Sequence, residues 1–181
     1  MLKIQKKLVI TMIFSLTFFA QNILGQKFPF NISDYKNSVI YELNIRQYSQ
    51  SGKIAEVTKD LPRLKKLGVD IIWLMPIHPI GEINRKGSLG SYYSIKNYKA
   101  FNPEFGTLDD FITFVKEAHK YNLKVIIDWV ANHTSWDNEW IKTNPDFYTK
   151  DSLGRIVSPV PDWHDVADLN YNNKKLWDAM I

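Results

Sequence analysis

The chain has 181 residues, of which 45% are hydrophobic, 14% aromatic and 23% charged, a balance that excludes disordered, collagen-like and coiled-coil architectures. It contains no cysteine, which removes disulfide frameworks, thiol nucleophiles, Cys-ligated zinc and acylated anchors together. The formal net charge is +4, but Lys3, Lys6 and Lys7 supply three of those charges, and without residues 1–25 the net charge is +1. A nearly neutral chain offers no electrostatic ground for a nucleic-acid partner.

Behind the three lysines, residues 8–20 read LVITMIFSLTFFA, without a charge. A basic segment followed by an apolar run of this length is the pattern of a secretory signal peptide. The run is short of the ~20 apolar residues a spanning helix needs. Residues 1–25 are therefore expected to be a signal peptide, cut after Gly25. The remainder is expected to be secreted or periplasmic, with no stable membrane anchor.

The rest alternates strand and helix. Residues 38–47, SVIYELNIRQ, are rich in β-branched and aromatic types and predict a strand. Val57, Leu61, Leu64 and Leu67 recur at helical spacing and stop at Gly68, with Pro62 expected in the first turn. Residues 69–75, VDIIWLM, are apolar on both faces and suit a buried parallel strand. A loop rich in Gly, Asn, Ser and Tyr follows over 76–106. Thr107 with Asp110 opens the next helix in an approximate capping box, with Leu108, Phe111, Val115 and Ala118 as its buried stripe and Asn122 as its stop. Residues 124–130, KVIIDWV, predict a third buried strand, 131–172 an irregular excursion, and 173–181 the start of another helix.

A βαβαβ array implies a parallel sheet with helices outside it. The pattern alone leaves a doubly wound sheet and a (β/α)₈ barrel open. No G-x-G-x-x-G follows the first strand and no P-loop is present, so nucleotide binding loses its usual support. Long insertions after the second and third strands favour the barrel, which builds sites on that face. A complete barrel takes about 250 residues, and only three strands of eight are found here. The expected fold is thus α/β, the incomplete first part of a TIM barrel, within a longer protein.

Position singles out Asp128, which closes an apolar run at the carboxyl end of a predicted strand, where a carboxylate needs a partner. Asn132 and His133 follow in the loop; an imidazole there can bind a polar ligand or a metal, or be an ordinary loop residue. Tyr92, Tyr93, Tyr98, Phe101 and Phe105 crowd the loop after the second strand. Such a cluster serves either as a mini-core or as apolar faces for sugar rings. The four histidines contain no H-E-x-x-H, so zinc hydrolysis has no motif.

Four segments in order resemble glycoside hydrolase family 13, the α-amylase family, across residues 38–181. DWVANH (128–133) resembles its first signature at the end of the third barrel strand. YSIKNYKAFNPEFGT (93–107) resembles the segment after strand two, and IIWLMPIHP (71–79) that strand and its exit. VADLNYNN (166–173) resembles the short signature near the end of domain B. The resemblance implies a start of the catalytic barrel at 26–132, a domain B-like insertion at 133–172 and the next barrel helix from 173. It also implies an α-glucan or malto-oligosaccharide substrate. Tyr93 would stack under the sugar at the cleavage subsite, His133 would bind its 6-hydroxyl, and Asp128 would anchor the network beneath. Asn132 and Asp168 match positions that ligate a structural calcium in many α-amylases. Ser94 departs from the family pattern, which often has Asp there, and the Asp/Gly-rich loop of some relatives after strand one is replaced by YSQSGKIAE.

The resemblance further implies a retaining mechanism whose nucleophile and acid/base sit at the ends of strands four and five, beyond Ile181. The 181-residue chain is expected to hold substrate-binding residues without catalytic ones, and to be inactive alone. A transglycosylase, an α-glucosidase or a non-catalytic carbohydrate-binding relative would share every motif seen.

Overall fold

The computed structural model describes residues 32–181; the signal-peptide expectation lies outside the described residues. A 3₁₀ turn, Ile32–Tyr35, belongs to an N-terminal unit that ends at Asn37, and residues 38–181 form a second compact unit.

Within that second unit, β1 (Ile40–Leu43), β2 (Ile71–Leu74) and β3 (Lys124–Ile127) form one parallel sheet in the order β1-β2-β3. The register aligns Tyr41, Ile72 and Val125, and likewise Glu42, Trp73 and Ile126. The crossovers are α2 (Ile54–Lys66) and α3 (Leu108–Lys120), which pack on each other. Leu43, Ile72 and Leu74 meet Ile54, Val57, Leu61 and Leu64 of α2 and Phe114 and Ala118 of α3 in the main core. These are consecutive βα units of a (β/α)₈ barrel, and the three strands do not close a barrel by themselves.

Several expectations need correction. The first predicted strand ends at Leu43, because the Asn44 side chain accepts from the Gln47 N–H and starts a short helix, α1 (Ile45–Tyr48). Pro62 stands mid-helix in α2, which begins at Ile54. An interior proline costs about 3 kcal/mol. Burying four aliphatic side chains at roughly 1.5–3 kcal/mol each outweighs it. Leu67 is the C-cap and 64% exposed, so the buried stripe ends at Leu64. On α3 the stripe is Phe114 and Ala118, with Phe111 and Val115 half-buried; Leu108, in the first turn, faces solvent. The Thr107–Asp110 capping box forms in full, and Asn122 ends the segment at φ 53°.

The third strand is also more open than its apolar sequence predicts. Val125 packs on the core, whereas Ile126 and Ile127 are exposed, since β3 is an edge strand among the described residues. The excursion is not wholly irregular. β4 (His133–Ser135) and β5 (Val166–Asp168) pair antiparallel, with His133 opposite Asp168, and α4 (Trp140–Thr143) lies between them in sequence. Phe147, Tyr148, Ala167, Leu169 and Leu176 build a second core, the last from α5 (Lys174–Met180).

Candidate functional site

The site lies at the carboxyl edge of the sheet. Asp128 follows β3 directly, and its N–H donates to the Leu74 carbonyl at 2.9 Å, so the end of β2 fixes its backbone. The Tyr93 hydroxyl donates to Asp128 Oδ2 at 2.8 Å. Burial, and then the Asp128 carboxylate, push the Tyr93 phenol up to about 12 from its usual 10.0. The neutral phenol is thus a secure donor to Asp128 throughout the physiological range.

The long loop divides its five aromatics between packing and the cleft. Phe105 is buried, and Phe101 stacks on Phe111 with ring centroids 5.3 Å apart. Tyr98 donates to the Val130 carbonyl at 2.7 Å and reaches that of His133 at 3.1 Å, tying the loop to the segment leaving β3. The Arg46 guanidinium lies over the Tyr92 ring, 4.5 Å from its centroid. Tyr93 alone of the five lines the cleft. Core packing and cleft lining thus fall to different residues of the loop.

That cleft, of about 280 Å³, is walled by Tyr93, His133 and Trp163, with Lys86, Ser91 and Asp165 supplying polar groups. His133 is buried, and its pKa lies below the usual 6.5 because burial disfavours the cation; the Tyr93 carbonyl, Asp165 and Asp168 oppose that only in part. The ring is therefore neutral at pH 7. The Asn132 side-chain amide lies 3.1 Å from Nδ1 and helps to fix the ring's orientation. A neutral imidazole in the cleft wall suits a hydroxyl-bearing ligand.

Sequence reasoning missed Lys86, Ser91, Trp163 and Asp165. Only the tryptophan, three residues before the β5 signature, offered a signal. Ser94, the departure from the family pattern, is buried and donates from Oγ to the Asp165 carbonyl at 3.0 Å. His78 is not at the site: its Nδ1 lies 3.1 Å from the Ala100 carbonyl.

Asn132 and Asp168 have the oxygen donors a calcium ion takes, but calcium needs six to eight of them. Asp168 pairs across the ladder with His133, not Asn132, and among the described residues no three His, Asp or Glu side chains gather as a metal-binding group. The two side chains do not complete a calcium shell by themselves.

The Tyr93–Asp128 contact makes a testable titration. Replacing Asp128 by Asn removes the charge that disfavours the phenolate but leaves the burial. The Tyr93 phenol is expected to titrate lower than in the wild type yet still above 10.0, read by tyrosinate absorbance against a Y93F background. An unchanged titration would mean the contact does not form.

A parallel sheet with its polar and aromatic cleft at the carboxyl ends of the strands defines the first part of a (β/α)₈-barrel enzyme scaffold. The chain belongs to the alpha-amylase family: the model of the alpha amylase catalytic domain matches residues 23–177. The crystal structure of an alpha-amylase from Lactobacillus plantarum is similar at a TM-score of 0.78 and 48% identity, over 80% of this chain and 34% of that one. The maltogenic alpha-amylase AmyB from Thermotoga neapolitana is similar at 0.76 and 42%, with the same coverage. Trehalose synthase/amylase TreS of Mycolicibacterium smegmatis is 33% identical over 84% of this chain and 31% of its own length. The chain spans about a third of the length of the relatives it matches.

Proposed function

We propose that this chain forms the sugar-binding front of a secreted alpha-amylase-family glycosidase that hydrolyses α-glucosidic bonds of starch-like glucans with retention. The observation that carries the reading is the Tyr93–Asp128 hydrogen bond beside a cleft that Tyr93 shares with His133. In this reading the Tyr93 ring lies under the C–H face of a pyranose, where an apolar surface with a polar rim is wanted. The His133 imidazole meets the 6-hydroxyl. Asp128, held by Tyr93, organises the hydrogen bonds beneath the ring without attacking it.

A retaining reaction needs two carboxyl groups roughly 5–5.5 Å apart. The one carboxylate among the described cleft-lining residues is Asp165, which pairs with Lys86 Nζ at 3.2 Å. The reading therefore assigns the reacting pair to residues outside these 181, and assigns binding without turnover to the chain alone. Titration of the purified chain with maltotriose is expected to show binding that Y93A weakens about tenfold, the equivalent of ~1.4 kcal/mol. A parallel reducing-sugar assay on soluble starch is expected to stay at background. A folded wild type that binds no maltotriose overturns the binding role, and sugar release overturns the assignment of the pair.

Transfer to a sugar acceptor is the second reading, favoured by the trehalose synthase and the maltosyltransferases among the relatives. Product analysis with added glucose separates it from hydrolysis. Export is supported by the basic and apolar run at 3–20, and among the described residues no helix is long and apolar enough to cross a membrane. The calcium implied by the resemblance would take Asn132 and Asp168 as two of its donors, with the rest of its shell from elsewhere. Equal melting in calcium and in chelator would remove it.

A further inference from the structure

We propose that Tyr98 is a positioning residue for Asp128 and His133, its hydroxyl holding the turn between them so that both side chains serve the Tyr93 cleft. The inference rests on the sugar-binding reading above and deepens it.

Residues 128–132 lie between β3, which ends at Ile127, and β4, which begins at His133. No β-ladder among the described residues spans them, so their carbonyls need donors from elsewhere. Each carbonyl from Val130 to His133 finds one far away in sequence. The Tyr98 hydroxyl lies 2.7 Å from the Val130 carbonyl and 3.1 Å from that of His133. The Tyr171 hydroxyl donates to the Ala131 carbonyl at 2.6 Å, and the Leu169 N–H to that of Asn132 at 3.1 Å. Among these donors only Tyr98 reaches two of the four carbonyls, and they are the first and the last. One phenol therefore sets the span of the turn, with its proton directed mainly to the nearer Val130. Asp128 is fixed at the other end, by the Leu74 carbonyl and the Tyr93 hydroxyl.

The phenol is itself held. Its ring packs on Trp140 with centroids 5.5 Å apart, and edge-on to His78 at 5.8 Å. Three residues upstream, the Ile95 carbonyl accepts from the Ser135 N–H at 3.0 Å and from the Asn138 amide at 3.3 Å. Burial raises the phenol well above its usual 10.0, so the hydroxyl keeps its proton throughout the physiological range. A turn ordered in advance loses little entropy on binding. Tyr93 and His133 line the cleft and Tyr98 does not, so it acts through them.

The experiment compares wild type, Y98F and Y48F in the 181-residue chain, with folding checked by circular dichroism. Tyr48 is the control because its hydroxyl bonds Asp60 and Arg63 of α2, apart from the cleft. Two readings are taken: maltotriose affinity by NMR titration, and the Tyr93 phenol followed through labelled tyrosine. Y98F is expected to weaken maltotriose about fivefold, the cost of ordering the turn on binding. Tyr93 is expected to titrate below its wild-type value of about 12, toward 10.0, as Asp128 loosens. A ring that merely filled space would move neither reading, and Y48F is expected to move neither. A variant with 4-aminophenylalanine at position 98 keeps both ring and donor. It is expected to match wild type, and it carries the test if Y98F does not fold; loss of either reading in this variant overturns the role of the donor. Wild-type behaviour of Y98F in both readings, or equal losses in Y98F and Y48F, overturns the inference. Weaker binding with an unmoved Tyr93 confines the effect to His133 and overturns the joint role. If the folded wild type binds no maltotriose while Y98F still shifts Tyr93, the sugar-binding reading falls and Tyr98 stands as the residue that positions Asp128.

Discussion

Phe114→Ala is expected to destabilise the chain by about 3–5 kcal/mol, the cost of truncating a buried aromatic and leaving a cavity. Phe114 is 0% exposed, in the main core between α3, α2 and the sheet, with Phe111 stacked on it at 6.4 Å. A typical domain is stable by only about 5–15 kcal/mol, so the loss is a large share of the total. A sheet with an open edge and exposed Ile126, Ile127 and Trp129 is expected to stand at the lower end. The measurement is urea unfolding, with the midpoint lowered and the slope unchanged. Ile112→Ala on the open side of α3 is the control, expected to shift stability by no more than ~0.5 kcal/mol. Equal shifts for the two variants would mean that the helix does not pack through Phe114.

Gly81→Ala is expected to damage stability and binding together. An added Cβ would stand 2.2 Å from Ser135 Cβ and 2.8 Å from Asp137 Oδ1, contacts no side chain tolerates. The neighbours are not free to yield: Lys96 Nζ bridges Glu82 at 2.7 Å and Asp137 at 3.3 Å, and the Glu82 N–H donates to Asp137 Oδ2 at 3.1 Å. Overpacking of this kind costs typically 1–3 kcal/mol. The Gly81 N–H also donates to the Ser94 carbonyl at 2.8 Å, so a displaced Gly81 moves the backbone beside Tyr93. Maltotriose affinity is therefore expected to fall with stability. Gly154→Ala is the comparison: its φ of +79° strains alanine, but nothing lies within 4 Å of the new Cβ, so it is expected to cost stability without changing affinity. A G81A variant with wild-type melting and binding would show that the loop relaxes away from Ser135 at no cost.

Acid weakens the start of α3 by a separate route. The Thr107 backbone and side-chain donors hold the Asp110 carboxyl below its ordinary 3.8. A depressed carboxyl stabilises the fold above its unfolded value, and that contribution is lost as pH falls through the lower, folded one. The start of α3 is therefore sensitive only in strong acid.

Much of the architecture was legible in residue order because its causes are local. The capping box needs only Thr107 and Asp110 three residues apart, and both bonds form. The positive φ at Asn122 is a property of Asn and its neighbours. The parallel βαβαβ order follows from the spacing of apolar runs, and the family from motifs that stand intact in one stretch of chain. Where prediction failed, a distant partner decided. Pro62 sits inside α2 because Ile54 and Val57 find a core to enter. β3 stays open because no described strand covers its outer edge. Leu67 and Leu108 fit the helical period but lie at the helix ends, beyond the reach of the sheet.

The same division runs through the candidate site. Sequence alone singled out Tyr93, Asp128 and His133 as candidates, and determined that the chain is part of a barrel scaffold. Tertiary structure alone decided that the Tyr93 hydroxyl meets Asp128 from 35 positions away, and that Ser94 holds the loop carrying Trp163 to the cleft. It also decided which of the five loop aromatics lines the cleft and which pack against the core. The reason is physical: hydrogen-bond partners and burial depend on which segments meet in space, and that depends on how the loops cross the strand ends, which no local pattern encodes.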